Sequence, residues 1–297
     1  MRIFAGLDMG KTKVSAGLVD VDSGRILESV AEQTDWSGDG INAMPQALRL
    51  CTRLLKGSRE VLGLGIGTYA LIDHSAGIIR KSVVDSWQGF PIVEEFRRCL
   101  GLPVAVNTDV EVAALGEARF GGGVGCNLFA YITVSTGVGL TTVHKGVPWH
   151  GVHSLAGHIA HIRLPSGLIV DEVLGGKGIE MRAASVTGRL WSCKEVFEAA
   201  RKGIDGRVLA IVDDASNALA LILAFVQEFI DPQTIVIGGS VAVGQPIWLK
   251  GVVEVLTSIT KMYQGQLPSG PVVKLSTLNG NNAMLGAACL VNETVTI

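Results

Sequence analysis

The chain has 297 residues, enough for about two domains at the ~150 residues that a domain typically uses. Lys and Arg number 25 against 27 for Asp and Glu, and the net charge of −2 excludes the basic surface typical of nucleic-acid-binding proteins. Five scattered cysteines argue against a disulfide framework. The chain shows neither the pattern of a signal peptide nor an uncharged apolar run of about 18 residues that could span a membrane. We therefore expect a cytoplasmic protein.

The first half of the chain has the pattern of an α/β domain that opens with hairpins. Apolar runs at 3–9 and 14–21 flank the turn GKTK, and a third strand follows the turn at 22–24. The remaining elements predicted here are a helix over 41–56, a buried strand over 61–72, a short strand after the turn at 74–77, a helix over 90–100, a buried strand over 102–109 and a helix over 110–119.

The opening pattern recurs in the second half. LFAYITVS, VGLTTVHKG and IAHIRL predict three more strands. Predicted next are helices over 178–187, 194–202 and 206–229, the buried strand TIVIGG, a helix over 246–262, the strand VVKLS and a helix from 282 to about 291. Two halves with the same opening indicate duplicated α/β domains with a cleft between them. We place the N-terminal domain at 1–117, joined by the C-terminal helix 283–296, and the second domain at 118–282.

The segment DMGKTK at 8–13 suggests a phosphate-binding hairpin. A Walker loop does not fit, because Ala5 stands where that pattern needs glycine and a strand follows instead of a helix. A hairpin after a strand-end Asp can instead offer amides to phosphate, with Asp8 acting through Mg²⁺ and its water. The candidate phosphate-binding residues of this hairpin are Gly10, Lys11, Thr12 and Lys13.

A second hairpin of the same kind contains Thr136 and Gly137. Either hairpin alone fits an ordinary β-turn, but equivalent places in two half-chains favour phosphate binding. Gly238 and Gly239 end a buried strand, where a base or ribose could lie on bare backbone. A simple strand-to-helix turn explains these two glycines equally well.

Asp109 follows a buried strand and starts a helix. Its side chain could be an N-cap, which needs no chemistry, or a general base facing the γ-phosphate. The two roles are compatible, since negative charge is favourable at a helix N-terminus.

Five of the six histidines fall in one stretch of the chain. They are His144, His150, His153, His158 and His161. A zinc site is the sharpest local hypothesis, but structural zinc takes four ligands and usually cysteine. We therefore expect histidines that face substrate, and no zinc site.

Six segments, in order, resemble the ROK family of repressors and sugar kinases within the actin-like ATPase superfamily. They are LDMGKTK, NTDVEVAALGEARFGGG, YITVSTGVGL, GHIAHI, IDPQTIVIGGSVA and NNAMLGAACL. The resemblance covers nearly the whole chain and is strongest to fructokinase-type members over 107–123. It implies duplicated actin-like (ribonuclease H-like) domains, ATP and Mg²⁺ in the cleft, phosphoryl transfer to a sugar hydroxyl, and a homodimer.

The resemblance also implies residue roles. Asp109 would be the catalytic base, and Thr108 would lie near the sugar. Asp8, Thr12, Thr136 and Gly137 would surround the phosphates, while Gly238 and Gly239 would lie by the adenosine.

Departures from the family pattern concern the sugar site. The usual Glu-x-Gly-His reads His158-Ile159-Ala160-His161, and no cysteine zinc motif follows it. Asp171 matches a further sugar-binding Glu by spacing, with Glu172 as the alternative. His158, His161 and Asp171 are thus the substrate-binding candidates besides Thr108. Lys11 and Ser135 stand where the family commonly has glycine, so a catalytically degenerate sugar-binding protein is the alternative to a kinase.

Overall fold

The computed structural model describes residues 1–57, 60–261 and 272–295. These residues group into two compact units. The first unit comprises Met1–Gly125, Gly146–Ala156 and the chain from Leu278 onward, and the second comprises Cys126–Lys145 and Gly157–Thr277. Residues 262 and 296, where two predicted helices end, lie outside the described residues.

The first unit is built on a sheet with the strand order β3-β2-β1-β4-β7. Its strands and helices are β1 (Ile3–Met9), β2 (Lys13–Asp20), β3 (Arg25–Gln33), α1 (Ala43–Leu55), β4 (Leu64–Thr68), β5 (Leu71–Asp73), β6 (Ile78–Lys81), α2 (Ile92–Leu100), β7 (Val104–Thr108) and α3 (Asp109–Phe120). Strand β1 is antiparallel to β2 and parallel to β4, which is parallel to β7. The carboxyl ends of β1, β4 and β7 therefore meet at one edge of the sheet.

One predicted strand of this unit is wrong in length. We expected a single buried strand over 61–72, but β4 ends at Thr68, and Leu71 starts a separate hairpin of β5 and β6. Tyr69 lies between the two strands and packs against Trp87, with 5.5 Å between ring centroids. An apolar run does not reveal such a break, because both strands are equally apolar.

The second unit repeats the connectivity of the first. The sheet in this part of the chain has the order β10-β9-β8-β11-β12. The elements of this part of the chain are β8 (Leu128–Val134), β9 (Val138–His144), β10 (Val147–Pro148), α4 (Val170–Leu174), α5 (Gly176–Thr187), α6 (Cys193–Arg201), α7 (Gly206–Ile230), β11 (Thr234–Gly238), α8 (Ser240–Gly244), α9 (Pro246–Ile259) and β12 (Val272–Leu275). Strand β8 is antiparallel to β9 and parallel to β11, which is parallel to β12. The predicted duplicated α/β fold is thereby confirmed.

The predicted strand IAHIRL is wrong. Residues Ile159–His161 form a single 3₁₀ turn, and only Arg163 and Ile169 make an isolated bridge. Ile162 is 54% exposed, so its apolar side chain is not part of a buried strand face. Gly157, whose φ is +81°, accepts a backbone hydrogen bond from Leu140 and redirects the chain before the turn.

Helix α7 is long and apolar enough to cross a membrane by length and composition alone. It is instead the central helix of its unit, since Ile211, Ala215, Leu219 and Leu223 are buried in the core. A core helix of a soluble protein passes the same test.

The last helix, α10 (Asn282–Val295), belongs to the first unit and packs on β1, β4 and α3. Its backbone comes so close to β4 that a Cβ on Gly65 would overlap the carbonyl oxygen of Ala287. Glycine at position 65 is therefore a packing requirement.

Candidate active site

The first unit brings two carboxylates to the sheet edge defined above. Asp8 lies on β1, opposite Ser15 of β2 and beside Gly67 of β4. Burial raises the pKa of Asp8 to about 7; the charge of Asp109 adds to the rise and that of Lys13 opposes it. A buried carboxylate loses solvation when it ionises, and a bound cation would offset that cost.

The carbonyl oxygens of the hairpin after Asp8 accept hydrogen bonds from neighbouring residues. Thr34 donates its hydroxyl to the Gly10 oxygen (2.7 Å) and its amide to the Thr12 oxygen (3.1 Å), while the Trp36 indole donates to the Lys11 oxygen (2.7 Å). In a trans peptide the N–H points opposite to the C=O. The amides of Lys11 and Thr12 therefore point away from these partners, as a phosphate-binding hairpin requires.

Asp109 is the first residue of α3, but it is not the N-cap. Thr108 caps the helix, because its hydroxyl accepts a hydrogen bond from the Glu111 amide. One Asp109 oxygen accepts from the amide of Val110 at 2.9 Å. The N-cap alternative for Asp109 is thus wrong, and its carboxylate can be removed without loss of the cap.

The surroundings of Asp109 raise its pKa to about 6. Burial is the largest cause, and Glu111 adds to it; the bond from Val110 and the charge of Lys11 act in the opposite direction. A carboxylate with a raised pKa is a stronger base than an ordinary Asp but is still mostly ionised at neutral pH. These are the properties that a general base for a hydroxyl group needs.

Three aromatic residues that the sequence did not single out pack together in the first unit, and one of them, Tyr69, is close enough to Asp109 to feel its charge. Tyr69 lies between Trp36 and Trp87, at centroid distances of 5.9 and 5.5 Å. Burial and the charge of Asp109 raise the pKa of the Tyr69 phenol, and its buried oxygen has no hydrogen-bond partner among the described residues. Aromatic residues at 36, 69 and 87 share no periodicity, so only the tertiary structure brings them together.

Neighbouring residues of the second unit make hydrogen bonds to the second hairpin. The amides of Gly176 and Lys177, at the start of α5, donate to the carbonyl oxygens of Ser135 and Thr136. Asp171 accepts a 2.6 Å hydrogen bond from the Val138 amide. The predicted sugar-binding residue Asp171 thus contacts the predicted phosphate-binding hairpin.

Gly238 and Gly239 end β11 and lead into α8. Gly239 has φ +89°, and a Cβ there would overlap the carbonyl of Val134. A side chain at position 238 would collide with the Tyr131 hydroxyl. Packing alone therefore explains both glycines, and their role beside adenosine stays a prediction.

The histidines do not form one cluster. His144, His158 and His161 belong to the second unit and are exposed, whereas His150 and His153 belong to the first. His150 instead meets His74 and Glu111, which lie outside the histidine-rich stretch of the chain. The turn at 74–77 and the first turn of α3 gave no signal beyond ordinary local structure.

The hydroxyl of Thr108, a residue predicted to lie near the sugar, is hydrogen-bonded to Glu111 of α3. The Oγ1 atom donates to Oε2 of Glu111 at 2.9 Å, and the residue is 8% exposed. Its contact with a sugar stays a prediction.

Comparison with known proteins agrees with this architecture. The chain is 26% identical to a glucokinase of Halalkalibacterium halodurans, over 98% of this chain and 96% of that protein. It is also 26% identical to an N-acetylmannosamine kinase of Haemophilus influenzae, over 99% and 97% of the two chains. A ROK family glucokinase of Streptomyces griseus, solved with glucose and AMPPNP, has the same fold, with a TM-score of 0.82 and 24% identity over 98% of this chain and 99% of that one.

The duplicated fold and these relatives define the class of the protein, a sugar kinase with the actin-like ATPase fold. More specifically, the chain belongs to the ROK family, whose model matches residues 4–294.

Proposed function

We propose that the protein is an ATP-dependent kinase that transfers the γ-phosphoryl group to a hydroxyl of a sugar or sugar derivative. The observation that carries the proposal is the position of Asp109, a partly buried carboxylate of raised pKa at the start of α3, in a ROK family chain. A coupled assay of ADP release over a panel of sugars tests it.

In this mechanism Asp109 accepts the proton of the sugar hydroxyl as its oxygen attacks the γ-phosphorus. The bond from phosphorus to the bridging oxygen breaks, and ADP leaves with that electron pair. The Val110 amide holds one oxygen of Asp109 and leaves the other for the proton. Removal of the proton by a positioned base contributes roughly 10²–10⁴-fold to such a reaction.

The residues at Asp8 fit a magnesium ion. Mg²⁺ prefers oxygen ligands and commonly keeps several waters, and the raised pKa of Asp8 marks a place where positive charge would be stabilising. When bound with ATP, the ion would neutralise phosphate charge. Asp8 would hold it through water, beside the amides of the first hairpin.

The remaining phosphate- and adenosine-binding residues singled out in the sequence would contact ATP. Gly10, Lys11, Thr12 and Lys13 would bind phosphate in the first unit, with the two lysines adding positive charge. Thr136 and Gly137 would bind phosphate in the second unit, where the bond to Asp171 orders their hairpin. Gly238 and Gly239 would lie by the adenosine.

The acceptor differs from glucose in this proposal, because His158 stands where the family has a carboxylate. A carboxylate accepts charge-assisted hydrogen bonds from sugar hydroxyls, each worth roughly 1.5–3 kcal/mol, and a histidine cannot replace all of them. A sugar with its own acceptor or negative charge, such as an acid, a carbonyl or an N-acetyl group, would restore the interaction. His161, Thr108 and Asp171 would complete the sugar site.

The sugar panel is therefore measured on the wild type and on His158→Glu. We expect the wild type to prefer an acidic or N-acetylated sugar, and the variant to shift the ranking of kcat/KM toward glucose. His144→Glu is the matched control, since His144 is also an exposed histidine of the second unit. Preference of the wild type for glucose, or an unchanged ranking in His158→Glu, would contradict the assignment.

A second candidate function is a sugar-binding regulatory protein without kinase activity. The loss of the family's carboxylate at His158 is the observation that favours it. No ADP release with any acceptor, together with a rise in Tm on addition of a sugar, would support this alternative.

We further propose a cytoplasmic homodimer. The composition and the relatives support the compartment, and exposed aromatic side chains at Phe225 and Phe229 offer apolar surface for association. Light scattering after size exclusion measures the mass in solution.

A further inference from the structure

Three side chains with metal-binding atoms converge in the first unit, from segments far apart in the chain. His74 lies in the turn after β5, Glu111 in the first turn of α3 and His150 in the loop after β10. One potential ligand atom from each lies within 4.8 Å of the other two. The two imidazole rings stack, with 4.1 Å between centroids and 23° between planes.

The ligand atoms are close to, but not at, the separations of a tetrahedral ion. Bonds of about 2.1 Å place the ligand atoms of such an ion about 3.4 Å apart. Here Nδ1 of His150 is 3.0 Å from one oxygen of Glu111, and Nε2 of His74 is 3.9 Å from the other. The two distances run to different oxygens of Glu111, and the three ligand atoms, which lie within 4.8 Å of one another, would have to close by up to about 1.4 Å to bind one ion.

The cluster buries one carboxylate and leaves one imidazole nitrogen without a hydrogen-bond partner among the described residues. Glu111 is only 6% exposed, and a buried carboxylate needs charge or hydrogen bonds around it. Nε2 of His74 is buried, is too far from Glu111 for a hydrogen bond and has no other hydrogen-bond partner among the described residues. Thr108 donates a hydrogen bond to Oε2 of Glu111. In many metal sites such a bond orients the carboxylate that binds the ion.

We propose that His74, Glu111 and His150 bind one first-row divalent transition-metal ion, with Zn²⁺ as the ion that this ligand set suits. Two imidazoles and one carboxylate favour zinc or its neighbours over magnesium, which prefers oxygen ligands. The site is thus distinct in chemistry from the magnesium site proposed at Asp8. It replaces the sequence-based expectation of no zinc site, which weighed only histidines from position 144 onward.

The proposal does not depend on kinase activity. An ion at this site would tie the β5–β6 hairpin, α3 and the loop after β10 to one another. Because the unfolded chain does not hold these three groups together, binding would stabilise the fold.

The test has two parts, both on the 297-residue chain after removal of metal with a chelator. One is a titration with CoCl₂ in the absence of ATP, and the other is equilibrium dialysis with ZnCl₂ followed by elemental analysis. We expect one equivalent of either ion and the visible absorption of low-symmetry Co²⁺. At a hundredfold excess over Kd, Zn²⁺ should raise the Tm by roughly 5–10 °C.

The variants His74→Gln and His150→Gln locate the ion. Each should weaken binding by more than the ~10–100-fold that loss of a supporting group costs. Both side chains are partly exposed, and the Tm without metal verifies that each variant folds. His144→Gln and His153→Gln change exposed histidines outside the cluster and should bind as the wild type does.

Two results would overturn the proposal. One is a wild type that retains less than a tenth of an equivalent of ion after dialysis. The other is equal affinity in the wild type and in the two cluster variants, which would place the ion on exposed histidines.

Discussion

At the scale of single residues, the carboxylate of the proposed base Asp109 is separate from the cap of the helix that it begins. Its neighbours Thr108 and Glu111 complete the start of α3, so that the helix does not depend on the Asp109 carboxylate. Burial raises its pKa because the charged form loses solvation, and the charge therefore costs stability at neutral pH. Groups that lower the stability of the fold are typical of functional sites.

The substitution Asp109→Asn tests the proposed role of this carboxylate. We expect turnover to fall by at least ~10²-fold, because the amide cannot accept the proton. The Tm at pH 8 should equal or exceed that of the wild type, since the variant removes a charge whose folded pKa is raised. Asp213→Asn, at an exposed position on α7, is the control and should change neither quantity. A lower Tm for Asp109→Asn would show that the carboxylate supports the fold.

The pH dependence of activity follows from the same pKa. Asp109 must be ionised to accept a proton, and its pKa in the folded protein is about 6 instead of 3.8. The value of kcat/KM should therefore be level above neutrality and fall about tenfold per pH unit below about 6. A profile that stays flat down to pH 5 would mean that Asp109 has an ordinary pKa or is not the base.

At the scale of elements, the packing of α10 against β4 depends on the absence of a side chain at Gly65. The residues Leu285, Ala288 and Val291 of this helix are buried with Phe4 of β1. The helix thus covers one face of the first sheet, and the sheet must present a flat surface to it.

Two glycine substitutions with opposite expected effects test this packing. Gly65→Ala places a methyl group against the Ala287 carbonyl and should destabilise the protein by several kcal/mol, at or above the ~1–3 kcal/mol typical of overpacking. Gly251→Ala lies within α9 with no atom near the added carbon, and should stabilise by about 0.5–1 kcal/mol. Denaturant unfolding measures both. Equal effects of the two substitutions would refute the close approach.

At the scale of the whole molecule, the first unit combines segments that precede and follow the second unit in sequence. Helix α10 follows β12 of the second unit in sequence but packs within the first. The first unit is therefore incomplete until α10 is made.

A chain that ends at Thr277 should show this dependence. Without α10, the apolar face of β1 and β4 is open to water, and amide hydrogen exchange in β1 should lose its protection. Exchange in β8 and β11 of the second unit should be less affected. A shorter truncation after Asn292, which keeps the buried residues up to Val291, is the control. Unchanged protection of β1 in the chain that ends at Thr277 would refute the role of α10.

The sequence by itself determined the duplicated α/β fold and the family. Alternating apolar runs and glycine turns are local signals, and the six family segments are read directly from the residues. Local patterns also located Asp8, Asp109 and both hairpins, because strand ends and helix starts are visible in the chain.

Only the tertiary structure decided which distant side chains meet. It replaced the strand predicted at 159–164 by a 3₁₀ turn, since burial depends on neighbours from other segments. It showed that Thr108 caps α3. It also showed that His150 lies beside His74 and Glu111 and not beside the histidines that follow it in sequence. Contacts between residues tens of positions apart depend on how the elements pack, and no periodicity in the chain records them.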